Sequence, residues 1–120
     1  MSQKFYMSRR DSRLLLGDIL ESAESIIDYT LNLTYKEFIN DKKTADAVIR
    51  NYEIIGEASN RLSDDIKAML PKIEWGKIRG FRNKLVHEYF GIEYQIVWDT
   101  KSELLPELIS SIKNLLNIAE

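Results

Sequence analysis

Apolar residues recur along this chain at spacings of three and four, the period of the α-helix. From about Arg9 to Leu31, a single stripe is formed by Leu15, Leu16, Ile19, Leu20, Ala23, Ile26, Ile27 and Thr30. A second long helix is predicted from about Thr44 to Leu62, with Ala47, Val48, Asn51, Ile54, Ile55, Ala58 and Leu62 on its stripe. A last one runs from about Tyr94 to Ala119 and carries Val97, Leu104, Leu105, Leu108, Ile112, Leu115, Leu116 and Ala119. Pro106 falls inside that pattern. It is expected to kink or break the helix, because proline has no N–H and its ring crowds the preceding turn. No segment alternates as a strand does.

Shorter helices fill the gaps. Thr34 followed by Glu37 reads as a capping box that starts a short helix through Phe38. Ser63 can cap another that reaches Leu70 and stops before Pro71. A fourth substantial helix is expected from about Glu74 to His87 or slightly beyond, with Gly91 as its stop. Four amphipathic helices with short connections predict an all-α fold, an antiparallel helical bundle. At 120 residues, 44% of them hydrophobic, residues 1–120 make one domain with one core.

Composition removes several function classes. There is no cysteine, so neither a disulfide nor a thiolate metal site can form. One histidine rules out a His-rich metal site within one subunit. No apolar run approaches a membrane span, and the N-terminus MSQKFYMSRR has no apolar signal core. A soluble cytoplasmic protein is expected. The net charge of −2 argues against broad coating of nucleic acid. Its distribution is uneven, however. Residues 72–87 hold Lys72, Lys77, Arg79, Arg82 and Lys84 against Glu74, and residues 1–13 are also basic. Arg50, Glu53 and Glu57 share another helical face and read as an intrahelical ion-pair cluster.

The basic segment contains the only histidine, in RGFRNKLVHEYF. At about 100° per residue, Ile78, Phe81 and Leu85 fall on the core side of that helix. Arg79, Asn83 and His87 form a row on the other side, with Arg82 and Val86 beside it. Arginine is a permanent fork for phosphate, and histidine suits proton transfer near neutral pH. Arg82 can hold a phosphate through two donors. Asn83 can orient the imidazole or donate to an oxygen. His87 can take the proton from a ribose 2′-hydroxyl that attacks the adjacent phosphorus. Such a cleavage also needs an acid for the leaving oxygen. A two-fold dimer with facing motif helices would supply a second His87, although Lys84 or water can serve instead. By spacing alone, an arginine and a histidine five residues apart are a common chance occurrence on a helix. Tyr89 falls near the apolar side if the helix continues, and reads equally as a core-edge aromatic beside Phe90.

The pattern from Arg82 to Tyr89 is an arginine, four residues, a histidine, one residue and a tyrosine, with a polar residue, Asn83, directly after the arginine. With DAVIRNYEIIGEASNRL (46–62) and LPKIEWGKIRGFRNKLVHEYFGIEY (70–94), it resembles the HepT-like branch of the HEPN superfamily over nearly the whole chain. The resemblance implies a two-fold homodimer with the motif lining a cleft at its interface. It implies a metal-independent endoribonuclease without cofactor, acting as the toxin of a toxin–antitoxin pair. Arg82 and His87 are then the catalytic pair, and Asn83 supports the site. Arg79 has only its place on the same face. The implied partners are RNA and a minimal nucleotidyltransferase antitoxin that transfers AMP to the motif tyrosine, here Tyr89. The rival reading is a non-catalytic helical module that binds a nucleotide or scaffolds a nucleotidyltransferase.

Overall fold

The computed structural model describes residues 9–88 and 91–118. Tyr89 and Ala119, both singled out by the sequence, lie outside the described residues. Six helices follow in order: α1 (Arg9–Thr30), α2 (Tyr35–Ile39), α3 (Lys42–Arg61), α4 (Asp64–Ala68), α5 (Trp75–His87) and α6 (Tyr94–Ile118). Among the described residues there is no strand. The all-α bundle expected from the periodicity is what forms. α1 packs against both α3 and α6, and α5 packs against α3. All four long helices feed one core, with Ile19 and Ile26 of α1, Val48 of α3, Leu85 of α5, and Leu105, Leu108 and Ile112 of α6 fully buried.

Local signals account for most of the boundaries. The Thr34 hydroxyl accepts from the Glu37 N–H, and the Glu37 carboxylate accepts from the Thr34 N–H, closing the expected capping box. The Ser63 hydroxyl accepts from the Ile66 N–H and starts α4. That helix ends at Ala68 rather than Leu70, because the Met69 and Leu70 N–H groups bond in tight turns to Ile66 and Lys67. α3 starts two residues earlier than expected. Asp41 caps it by accepting from both the N–H and the hydroxyl of Thr44, and these bonds hold the Asp41 carboxyl below its usual range. α5 ends at His87, short of Gly91.

Two expectations are corrected by packing. α6 runs unbroken through Pro106. Proline removes one backbone bond, but Leu105 and Leu108 on either side are buried, and their packing holds the helix together. The buried stripe of α3 is also rotated from the one expected. It comprises Ala45, Val48, Tyr52, Ile55, Gly56, Ala58 and Ser59, while Ala47, Asn51 and Ile54 are only partly covered. Hydropathy alone underrates a tyrosine, a glycine and a serine as core positions.

Gly56 is a position of close approach on that buried stripe. A Cβ placed there would overlap the Cβ and Cγ of Arg82 on α5. The two helices therefore meet where one has no side chain. Moving back along α3 from Gly56 to Ile49 moves forward along α5 from Arg82 to Leu85, so the pair is antiparallel. The Tyr52 ring meets the Phe81 ring edge-on at 5.0 Å. Its hydroxyl is buried without a hydrogen-bond partner among the described residues, and burial, followed by the negative charge of Glu103, pushes its pKa well up.

Alanine in place of a helical glycine ordinarily stabilises by about 0.5–1 kcal/mol. Gly80 of α5 has open space around it, so Gly80→Ala should show that gain in a denaturant titration. Gly56→Ala should instead cost about 1–3 kcal/mol net, because α5 must move off α3. A Gly56→Ala protein as stable as wild type would show that the helices do not meet there. Tyr52→Phe removes a buried hydroxyl that has no partner and keeps the ring contact. It should leave stability unchanged or raise it, and a loss of about 1 kcal/mol or more would show that the hydroxyl is bonded.

Candidate active site

α5 divides as its sequence predicts. Ile78 and Leu85 are buried and Phe81 is partly covered, while Arg79, Asn83 and His87 are exposed. Val86 accompanies them, 44% exposed. The helix thus presents an arginine, an asparagine, a valine and a histidine on one open side.

Arg82 departs from the expectation that it stands on the open side. It lies at the edge and is half-buried, because its aliphatic stem rests in the space left by Gly56. Its Nε is buried and has no hydrogen-bond partner among the described residues. The side edge of the guanidinium is therefore closed, and only the terminal Nη1 and Nη2 can form a two-donor fork. Nη1 also donates to the Asn83 Oδ1 at 3.5 Å. Asn83 thus pairs with Arg82, and no bond to His87 accompanies it. A stem held by packing and a head steadied by its neighbour leave the guanidinium less rotamer freedom to lose when an anion binds.

His87 is the last residue of α5 and is exposed. Among the described residues it makes no hydrogen bond or ion pair, so both ring nitrogens are open to a ligand. The surrounding charges are unequal in availability. Lys77 is bridged to Glu74 at 3.0 Å, and Lys84 stands 3.9 Å from Glu88. Arg79 and Arg82 have no carboxylate partner among the described residues. Arg79 and Arg82 are thus the arginines of α5 left to meet an anionic ligand, and Lys84 is only loosely held by Glu88. Among the described residues no group of three His, Cys, Asp or Glu side chains could hold a metal ion. No helix among them is long and apolar enough to cross a membrane.

Gly56 is the member of this site that the sequence analysis passed over. Its signal was present: a glycine inside a strongly helical stretch costs stability, and such a residue usually marks a close approach.

A family model described as Ribonuclease HepT-like matches residues 19–115. A protein of Methanocaldococcus jannaschii named "Putative RNase MJ0127" is 42% identical over 114 residues, 95% of this chain and 94% of the relative. A Thermococcus cleftensis protein named "Probable ribonuclease HepT" is 39% identical over 107 residues, 89% of this chain and 97% of the relative. A Caldanaerobacter subterraneus protein named "Putative RNase TTE0752" is 36% identical over 104 residues, 87% of this chain and 93% of the relative. No solved structure matches. Matched by the family model through all four long helices, and by these relatives over nearly their whole lengths, the chain belongs to the HepT-like ribonuclease family.

Proposed function

We propose that this protein is a metal-independent endoribonuclease that cuts RNA by transesterification and serves as the toxin of a toxin–antitoxin pair. The observation that carries the reading is a half-buried Arg82 guanidinium, its stem packed at Gly56 and its terminal nitrogens outward, on the same helix as an exposed His87 that makes no hydrogen bond or ion pair among the described residues. Arg82 binds the non-bridging oxygens of the scissile phosphate. His87 removes the proton of the 2′-hydroxyl, whose oxygen attacks phosphorus. The bond to the 5′-oxygen breaks, and that oxygen takes up a proton. The products are a 2′,3′-cyclic phosphate and a free 5′-hydroxyl. Asn83 keeps the guanidinium in position, and Arg79 adds positive charge for the flanking phosphates. One chain supplies one imidazole, so a two-fold dimer with facing α5 helices provides both the base and the acid.

Purified protein should cleave RNA in the presence of EDTA and leave cyclic phosphate ends. His87→Ala and Arg82→Ala should each lower the rate by about a hundredfold or more, with unchanged helical circular dichroism. Full activity in His87→Ala would remove the mechanism.

Control falls to Tyr89, two residues beyond His87, as the acceptor of AMP from a nucleotidyltransferase antitoxin. The added phosphate competes with RNA for Arg82, and the adenosine occupies the cleft. Tyr89→Phe keeps everything but the acceptor oxygen. It should cleave RNA at close to the wild-type rate and resist silencing by the partner and ATP. Silencing of Tyr89→Phe would assign the acceptor to another residue. A Tyr89→Phe protein inert towards RNA would give the hydroxyl a catalytic role.

A further inference from the structure

Three polar side-chain atoms are buried without a hydrogen-bond partner among the described residues: the Tyr52 hydroxyl, the Ser59 hydroxyl and the Arg82 Nε. Tyr52 and Ser59 stand on the buried stripe of α3 on either side of Gly56, and Arg82 is the α5 side chain that rests against Gly56. A buried donor or acceptor left unmade is costly, so native structures keep few of them. The Nε of arginine only donates, whereas a hydroxyl both donates and accepts. The two hydroxyls are therefore the candidates to receive the Nε–H.

Position separates them. The Tyr52 side chain lies with Leu104, Leu105 and Leu108 of α6 around a small cavity, and the charge of Glu103 on α6 reaches its hydroxyl. Tyr52 thus belongs to the α6 side of the core. Ser59 lies one turn beyond Gly56 and is 3% exposed. A Cβ at Gly56 would stand 3.6 Å from the Arg82 Cδ, the atom to which Nε is bonded. The Ser59 Cβ is about 5–6 Å from that same point, the ordinary spacing of helical positions three apart. The directions converge as well. Helical side chains lean towards the N-terminus of their own helix. Ser59 therefore leans back towards Gly56. Arg82 leans towards the start of α5, and because the two helices are antiparallel that is the direction from Gly56 to Ser59.

We propose that Ser59 is a positioning residue for Arg82: as a phosphate loads the guanidinium fork, the Ser59 hydroxyl turns to accept from Nε and fixes the plane of the fork. The proposal rests on the ribonuclease reading of Arg82 and deepens it. Serine moves between staggered χ1 wells without any movement of α3. On the other side of the guanidinium, Nη1 donates to the Asn83 Oδ1. With Nε on Ser59 and one Nη1–H on Asn83, one Nη1–H and both Nη2–H groups remain, enough for a two-donor grip on the scissile phosphate. A fork held at both sides is aimed where the phosphoryl oxygens gain charge, so its orientation acts on the transition state more than on the bound substrate.

The Arg82 Nε–H resonance, identified by its loss in Arg82→Lys, reports the contact without any cleavage. In wild type, inorganic phosphate should shift it and slow its exchange with solvent. In Ser59→Ala, phosphate should leave that exchange unslowed. Ser59→Ala removes a hydroxyl that has no partner before phosphate binds, so the fold tolerates it. On RNA its kcat should fall by about tenfold with KM little changed, a smaller loss than that of removing Arg82 itself. Ser59→Cys keeps the volume and offers only a weak acceptor, so it should lose kcat in the same way. The ammonium of Arg82→Lys has no Nε–H edge, and in that background Ser59→Ala should cause no further loss. A wild-type Nε–H that ignores phosphate, or one that responds equally in Ser59→Ala, would overturn the proposal. So would a wild-type kcat in Ser59→Ala or Ser59→Cys, or a further loss in the Arg82→Lys background, which would make Ser59 a packing residue only. An Nε–H that responds as expected in a protein that cuts no RNA would uphold the Ser59 contact and reject the ribonuclease reading instead.

Discussion

Where α3 meets α5, a glycine faces an arginine, and the arginine stem fills the space that a side chain would need. This contact sets the distance between the two helices. It also seats Arg82 so that its Nε is buried and only the far end of the guanidinium is presented outwards. A surface arginine with the same sequence neighbours would be a mobile charge that loses about 2 kcal/mol of rotamer freedom on binding. Here packing has already removed much of that freedom. The Tyr52–Phe81 ring contact lies along the same α3–α5 seam.

The electrostatics around the site follow from which cations lack partners. Exposed ion pairs such as Lys77–Glu74 and Lys84–Glu88 contribute little to stability, but each offsets a positive charge locally. Arg79 and Arg82 are not offset in this way among the described residues. A chain with net charge −2 can thus still present a cationic edge to a polyanion, because these two arginines carry no carboxylate partner among the described residues. On α3, Arg50 is offset in the same way as Lys84, by Glu53 and Glu57 at nearly 4 Å.

Most of the helices could be read directly from residues. The caps at Thr34 and Ser63 are local devices, in which a side chain bonds backbone three residues on, and both form as expected. Asp41 was passed over, although its bonds to Thr44 are equally local. Pro106 shows the limit of local reasoning. Taken alone it should kink or break α6, and with Leu105 and Leu108 buried the break does not occur. The α3 stripe shows the same limit in another form. Tyr52, Gly56 and Ser59 are core positions because of what faces them across the interface, and hydropathy carries no information about that.

The sequence by itself determined the helical class, the four-helix count, the open row of Arg79, Asn83 and His87, and the family. All of these rest on short-range periodicity or on the order of residues along one helix. The tertiary structure alone decided that Arg82 is half-buried against Gly56, that its Nε edge is closed, and that Asn83 serves the arginine. Apart from the pairing of Asn83 with its neighbour Arg82, these depend on contacts between helices separated by some 25 positions in the chain. A helical period specifies which way a side chain points, but the surface it meets is set by the crossing of two helices. That crossing is chosen by the fit of all their facing side chains together.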